Sequence, residues 1–352
     1  MSDDPTAVRR RTFVQGTGTA AVGVAGLSFV PSAWGDRAAS GTESHRTPAA
    51  TGADEVTLVG HRGFAGVNPE NTVGAVQDAS HGWHPDDEHR FADLLDADDV
   101  SVDDGEIVIS SDDDTIERVR DILAGDLSDV GHRRADMIEV DIMPCGDGDT
   151  VVFHDRNLSG LTDEAGVVWE TDAESVLSAE VLESGETVPR LTEVMDAIPP
   201  EVGVNLEFKS RGNKEWTTFA EDVLSVAADY ENDVLVSSFA EEAIAAVAEN
   251  YPEVPIAFLF WNDIQAGLEV TDRYGCDAMN VPFNMVAGTP FFSENIGFDN
   301  IPEGGYAGVD LVEEADARGI DLNVWTVQTW YEAEQLVAAG VDGLIADYPN
   351  LL

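Results

Sequence analysis

Histidine, carboxylate and fixed cation recur at the ends of short apolar runs. Leu58-Val59-Gly60 leads into His61-Arg62-Gly63, a titratable ring beside a permanent positive charge. Met137-Ile138-Glu139-Val140-Asp141-Ile142 carries two carboxylates two residues apart, and the two-residue period of an extended strand points both the same way. Such a pair repels unless a cation sits between its members. Val151-Val152-Phe153 ends in His154-Asp155, and Val204-Asn205-Leu206-Glu207-Phe208-Lys209 sets a carboxylate and an ammonium on one strand face. Lys209 is one of only two lysines in the chain, the other being Lys214. A lysine inside an apolar strand of a chain that avoids lysine needs a reason, and an anionic phosphate ligand supplies one. Taken singly these patterns are common; together they are two histidines, three carboxylates, one arginine and one lysine, each at the end of an apolar run.

The elements that must position them alternate between strand and helix. Strands are expected at Val56–Gly60, Met137–Met143, Val151–His154, Val202–Lys209, Val234–Ser238, Ile256–Phe260, Ala278–Val281, Leu322–Val327 and Leu344–Ala346. Amphipathic helices are expected at Thr217–Tyr230, Glu241–Asn250, Asp310–Arg318 and Trp330–Ala339. Alternation of this kind predicts a parallel sheet with helical crossovers. Eight such strands close a (β/α)8 barrel of the TIM type, whose functional residues gather at the C-terminal ends of the strands. Nine candidates are one too many. Val151–His154 follows its predecessor too closely for a helical crossover, so the surplus falls there. Residues 80–134 interrupt the rhythm between the first and second units. They read as an acidic insertion, with a hairpin at Val100–Val102 and Glu106–Ile109 and a helix near Thr115–Leu123.

The chain has 352 residues, 43% of them hydrophobic, enough for a sizeable core. Against 18 Lys and Arg stand 69 Asp and Glu, a net charge of −51. Self-repulsion of that size strains a compact fold at low salt, whereas molar salt shortens the Debye length to about 3 Å. Acidic excess along the whole chain therefore reads as adaptation to a saline solvent, and the lack of a basic patch excludes nucleic acid as a partner. Cys145 and Cys276 fall in different units and are expected to stay unpaired. Arg9-Arg10-Arg11 followed by Thr12-Phe13-Val14 and a mild apolar run over 16–30 has the order of a twin-arginine export signal. That run is too short and weak for a stable membrane span. The expected organisation is a signal over 1–34, a flexible linker over 35–53 and a barrel domain over 54–352, with an extracellular or cell-surface destination.

The ordered stretches His61-Arg62-Gly63 with Pro69-Glu70-Asn71-Thr72, Ile138-Glu139-Val140-Asp141, Val152-Phe153-His154-Asp155, Asn205-Leu206-Glu207-Phe208-Lys209, Ser237-Ser238-Phe239, Val324-Trp325-Thr326-Val327 and Val341-Asp342-Gly343 through Asp347-Tyr348-Pro349 resemble the glycerophosphodiester phosphodiesterase family. The resemblance covers about residues 56–352 apart from the insertion. It implies a barrel fold, a divalent cation, and hydrolysis of small anionic glycerophosphodiesters to glycerol phosphate and an alcohol. It implies His61 and His154 as the acid–base pair, Glu139, Asp141 and Glu207 as metal ligands, and Arg62 and Lys209 as phosphate contacts. Glu70 and Trp325 fall on motif positions near the substrate. It also suggests attack by the substrate's own glycerol hydroxyl through a cyclic phosphate. Ala346 and Arg190 stand where the family often has threonine, and the insertion bears on substrate range. All-carboxylate ligation favours a hard ion, Ca2+ or Mg2+.

Other readings compete with parts of this one. His81, His84 and His89 could form a second metal site, but a solvated loop explains them more simply. Asp112–Asp114 lacks the spaced ligands of a calcium loop. A lysophospholipase D acting on lipids would need an apolar rim, for which Trp261, Phe291 and Phe292 are candidates. A non-catalytic secreted barrel would have lost a histidine or carboxylate, and none is lost.

Overall fold

The computed structural model describes residues 56–82, 133–293, 306 and 308–352, and the backbone of 100–103 and 106–109. Eleven strands are present among them: β1 (Thr57–His61), β2 (Val100–Asp103), β3 (Glu106–Ile109), β4 (Met137–Pro144), β5 (Thr150–Val152), β6 (Gly203–Phe208), β7 (Val234–Ser238), β8 (Ile256–Leu259), β9 (Ala278–Pro282), β10 (Asp321–Val327) and β11 (Gly343–Ala346). Eight of them form a closed parallel ring, β1-β11-β10-β9-β8-β7-β6-β4, sealed by the pairing of β4 with β1. This is the expected (β/α)8 barrel.

The surplus strand is β5, which pairs antiparallel with β4 through Ile142–Val152, Met143–Val151 and Pro144–Thr150. It ends at Val152, so His154 does not close a barrel strand as the sequence suggests. It lies on a return segment. β4 overshoots the barrel mouth and reverses through a turn in which Cys145 N–H bonds Asp149 O at 2.8 Å. The chain then comes back far enough for Phe153 N–H to bond Asp141 O at 2.8 Å. β2 and β3 pair as the expected separate hairpin.

Along each strand the side chains alternate between helix layer and barrel interior. All eight residues of β4 are buried. Ile138, Val140 and Ile142 face the large core shared with the helices, whereas Met137 joins Val59, Leu235, Ala257, Ala278 and Ile345 in a smaller core inside the ring. Two residues further along, the interior turns polar: Val59 gives way to His61, Met137 to Glu139, Leu235 to Ser237 and Ile345 to Asp347. The apolar plug fixes the ring, and the polar layer opens at its C-terminal mouth.

Among the described residues the α-helices are α1 (Val73–His81), α2 (Ala173–Ser178), α3 (Leu191–Ala197), α4 (Trp216–Ala227), α5 (Glu241–Asn250), α6 (Ile264–Tyr274), α7 (Leu311–Arg318) and α8 (Trp330–Ala339). Side-chain caps start several of them: Thr72 accepts from Ala75 N–H, Asp263 from Ala266 N–H, Asp310 from Val312 N–H, and Thr329 forms a reciprocal capping box with Glu332. α1 runs through His81, whose Nδ1 lies 2.7 Å from Gln77 O. That residue therefore belongs to the first helix rather than to the insertion. Among the described residues no helix is long and apolar enough to cross a membrane. Cys145 and Cys276 are buried and free, as expected. The export signal, the linker, His84, His89, Asp112–Asp114 and the helix expected near 115–123 lie outside the described residues.

Candidate active site and metal centre

β1 delivers His61 to the mouth, and the chain then turns through three consecutive left-handed residues, Arg62 (φ 52°), Gly63 (φ 76°) and Phe64 (φ 63°). Left-handed backbone is unfavourable for a bulky residue and must be held by its surroundings. Phe64 is fully buried in the core, and Ala65 N–H bonds His61 O at 3.0 Å. Gly63 is required on two counts, its positive φ and a backbone carbon of Ala75 only 2.8 Å from where a Cβ would stand. The turn aims Arg62 back over the barrel. Its N–H donates to Glu139 Oε2 at 3.0 Å, its Nε lies 3.2 Å from Asp141 Oδ2, and its Nη1 donates to Glu70 Oε1 at 2.8 Å.

Glu139 and Asp141 on β4 face Glu207 on β6, with Asp141 directly opposite Glu207 in the strand register. One oxygen from each of the three lies within 4.8 Å of the others, and all three residues are buried. Lys209 Nζ sits 2.8 Å from Glu207 Oε1 and 3.4 Å from Asp141 Oδ1. Asn71, itself left-handed (φ 60°), clamps Asp141 from two sides. Its Nδ2 donates to Asp141 Oδ2 at 2.8 Å and its Oδ1 accepts from Asp141 N–H at 3.2 Å.

The three carboxyls titrate differently for physical reasons. Burial, then repulsion from Asp141 and Glu207, drives the Glu139 carboxyl well above its ordinary range against the pull of Arg62. Burial also raises Glu207, helped by Asp141 and opposed by Lys209. At Asp141 burial again opposes ionisation, but Lys209, Arg62, His154 and the Asn71 amide outweigh it and hold the carboxyl below its ordinary value. Glu139 Oε1 is buried and accepts no hydrogen bond among the described residues. A buried, unsatisfied carboxylate oxygen beside two more carboxylates fits a hard dication, with Glu139, Asp141 and Glu207 able to hold it.

The histidines approach this trio from two directions. His61 Nε2 lies 3.9 Å from Glu139 Oε2, and its Nδ1 is 2.6 Å from Asp347 Oδ1. Gln328 Nε2 donates to the other Asp347 oxygen at 2.7 Å. His154 Nδ1 lies 2.7 Å from Asp155 Oδ1, on the return segment beside Asp141. Trp325 is partly buried against the inner core and meets the Phe239 ring edge-on at 5.7 Å. Phe239 in turn contacts Trp261 at 5.0 Å and underlies Lys209 Nζ at 5.7 Å. One side of the mouth is thus aromatic and the other ionic.

Residues 130–351 match the model of the Glycerophosphoryl diester phosphodiesterase family. The chain belongs to that family. It is 30% identical over 174 residues to a glycerophosphodiester phosphodiesterase of Caldanaerobacter subterraneus subsp. tengcongensis, a match covering 48% of this chain and 62% of that relative. The chain thus spans less than two thirds of that relative's length. Among solved structures it is similar to a phosphodiesterase of Oleispira antarctica in complex with the product sn-glycerol-3-phosphate, with TM-score 0.58, 19% identity, and coverage of 83% of this chain and 93% of that one. It is similar also to a glycerophosphodiester phosphodiesterase of Thermotoga maritima, with TM-score 0.52, 18% identity, and coverage of 83% and 94%. These two share its fold.

All nine site residues expected from the sequence of this family member lie around one barrel mouth. Glu70 does so by holding the Arg62 guanidinium. Four residues that sequence reasoning did not assign join them: Asn71, Asp155, Gln328 and Asp347. Asn71, Asp155 and Asp347 stand inside the family-like motif stretches, which is the one signal that could have found them. Nothing marks Gln328. His81, exposed at the end of α1, bonds its own helix and takes no part.

Proposed function

We propose that this protein is a divalent-cation-dependent phosphodiesterase that hydrolyses glycerophosphodiesters to glycerol phosphate and an alcohol. The observation that carries this reading is the buried Glu139–Asp141–Glu207 trio with a histidine on each side. Glu139, Asp141 and Glu207 would hold Ca2+ or Mg2+, which when bound polarises phosphoryl oxygens and offsets developing charge. Arg62 and Lys209 flank the trio and offer positive charge to an anionic diester in a protein whose surface otherwise repels anions. Glu70 holds Arg62 in place. Each histidine has its Nδ1 on an aspartate, leaving Nε2 to move protons, one ring taking a proton from the attacking hydroxyl and the other giving one to the leaving alkoxide. Trp325 and Phe239 provide an apolar wall for the carbon skeleton of the substrate.

A second reading, hydrolysis of a lysolipid diester, draws on the rim. Trp330 and Tyr331 at the start of α8 are 66% and 44% exposed. They continue through Phe291 to Phe283 in a run of edge-on contacts 5.6–6.0 Å apart. Of the rim aromatics expected from sequence, Phe291 belongs to this run. Trp261 packs on Phe239 inside the mouth, and Phe292 packs on Tyr306 at 6.4 Å. The acidic composition and the N-terminal arginine motif support a salt-adapted protein exported to the cell surface or beyond, with the domain limits given above.

Release of the head-group alcohol from a panel of soluble glycerophosphodiesters, leaving glycerol phosphate, and from a lysophospholipid, leaving acylglycerol phosphate, in molar salt with and without chelator, tests both readings. The expected result is turnover of the soluble diesters, lost on chelation and restored by Ca2+ or Mg2+. Full activity after confirmed metal removal would refute the cation's role, and turnover of the lysolipid alone would favour the second reading.

A further inference from the structure

The two histidines are held very differently. Asp155, the partner of His154, follows it directly in sequence, and its side chain is 43% exposed. Asp347, the partner of His61, is buried at the end of β11 and fixed on every side. Its N–H donates to Val327 O and its carbonyl accepts from Gly66 N–H, both at 3.0 Å. One carboxylate oxygen takes His61 Nδ1 and the other takes Gln328 Nε2. Burial works against this carboxylate, but the contacts with His61, Gln328 and Arg62 outweigh it and keep it ionised.

We propose that Asp347, braced by Gln328, is the positioning residue that fixes the tautomer and orientation of His61. An ionised carboxylate has no proton to give, so a ring nitrogen 2.6 Å away must carry the hydrogen. The neutral ring then has a bare Nε2, and Nε2 is the atom turned toward the carboxylate trio. Gln328 matters because its amide N–H occupies the second oxygen and stops the carboxylate from swivelling away from the ring. His154 has no such brace among the described residues. The proposal rests on the proposed phosphodiesterase reading for its catalytic consequence, though not for its geometry.

The test compares Asp347→Asn, Gln328→Leu and Asp155→Asn with wild type, by steady-state kinetics on a soluble glycerophosphodiester and by 15N NMR of the histidine rings at alkaline pH. In Asp347→Asn the Gln328 amide favours turning the new carboxamide's oxygen toward itself and its NH2 toward His61, which moves the ring proton to Nε2. The expected loss is roughly 10²–10⁴-fold in kcat with KM nearly unchanged, the scale of a mispositioned acid–base group. His61 changes from the Nδ1–H to the Nε2–H pattern, and cation binding followed by calorimetry stays as in wild type. Asp155→Asn should lose less than about tenfold, because its exposed carboxylate constrains His154 weakly. If Asp347→Asn does not fold, Gln328→Leu decides, with an expected several-fold fall in kcat. The proposal is overturned if His61 in the wild type carries its proton on Nε2, if both His61-side variants keep wild-type kcat, or if Asp155→Asn is the costlier change. Should the wild type turn over no glycerophosphodiester, the functional reading fails, and the NMR comparison still decides the positioning.

Discussion

Replacing Lys209 by methionine keeps the stem that lies over Phe239 and removes the charge that separates two carboxylates. The ammonium is 2.8 Å from Glu207 and 3.4 Å from Asp141. At an effective permittivity of about 20 these separations correspond to gross attractions of about 6 and about 5 kcal/mol. Most of that is returned as the cost of burying the ions, and breaking one partner out of a buried ionic cluster nets about 3–5 kcal/mol. At roughly 2 °C per kcal/mol for a domain of this size, the metal-free variant should melt about 6–10 °C below metal-free wild type. The same change strengthens the trio's demand for an external cation. Calcium should therefore raise the melting temperature of Lys209→Met more than that of wild type, and calorimetry should show tighter binding. Turnover should nevertheless fall, since the phosphate has lost a contact. Lys209→Arg, which keeps the charge, should melt close to wild type. Equal melting temperatures for the metal-free methionine variant and wild type, or weaker calcium binding in the variant, would refute the reasoning, because either would mean that Lys209 does not neutralise the trio.

Three further outcomes follow from charge. The Asp141 carboxyl is depressed below its ordinary 3.8, so its contribution to stability is present above that pH and is lost as pH falls below it. The Glu139 carboxyl is raised above its ordinary 4.5, so the native state binds the extra proton, and metal-free stability falls as pH rises from 4.5 through the raised value. Urea titrations of the metal-free protein across pH 4.5 to neutrality should show that decline, and Glu139→Gln should flatten it; an unchanged slope would remove Glu139 as its source. Thermal melts in about 0.1 M and about 3 M salt, which bracket the screening range, should show a large gain in the higher salt because the −51 charge is then screened; equal stability would count against salt adaptation.

The ring of the fold was legible because its signals are local. β7 at Val234–Ser238 and the helices Glu241–Asn250 and Trp330–Ala339 have the bounds that apolar alternation and capping residues imply. The ionic half of the site was legible for a related reason: a carboxylate pair at two-residue spacing and a rare lysine are anomalies that one strand displays by itself. The route of His154 was not legible. An apolar run ending in histidine has the same appearance whether it continues a parallel ring or doubles back on β4, and only the short gap at 145–149 hinted at reversal. Asp347 was hidden by composition, being one acid among 69 Asp and Glu, and its partner His61 lies 286 residues away. Gln328 is a neutral amide in a helix-leading turn, where any polar residue would look at home. Nor does sequence reveal that Arg62 and Lys209 rest on the carboxylates, since that depends on the register of β4 against β1 on one side and β6 on the other.

The contact between His61 and Asp347 also lies across the seam of the ring. β1 is the first strand of the barrel and β11 the last, and their pairing, Thr57–Gly343 through Gly60–Ala346, joins the two ends of the sheet. Glu139, Asp141 and Glu207 stand on β4 and β6, and the Arg62 and Asn71 contacts that hold them come from the chain just after β1, so every part of the trio's setting precedes residue 210. The histidine that serves them acquires its partner only when the last strand docks. A folding chain can therefore assemble its ion-binding half early and still lack an ordered proton carrier until circularisation is complete. On the proposed function, turnover would then report folding late and cation binding early, and the interval between the two signals in a refolding experiment would measure how long the ring stands open.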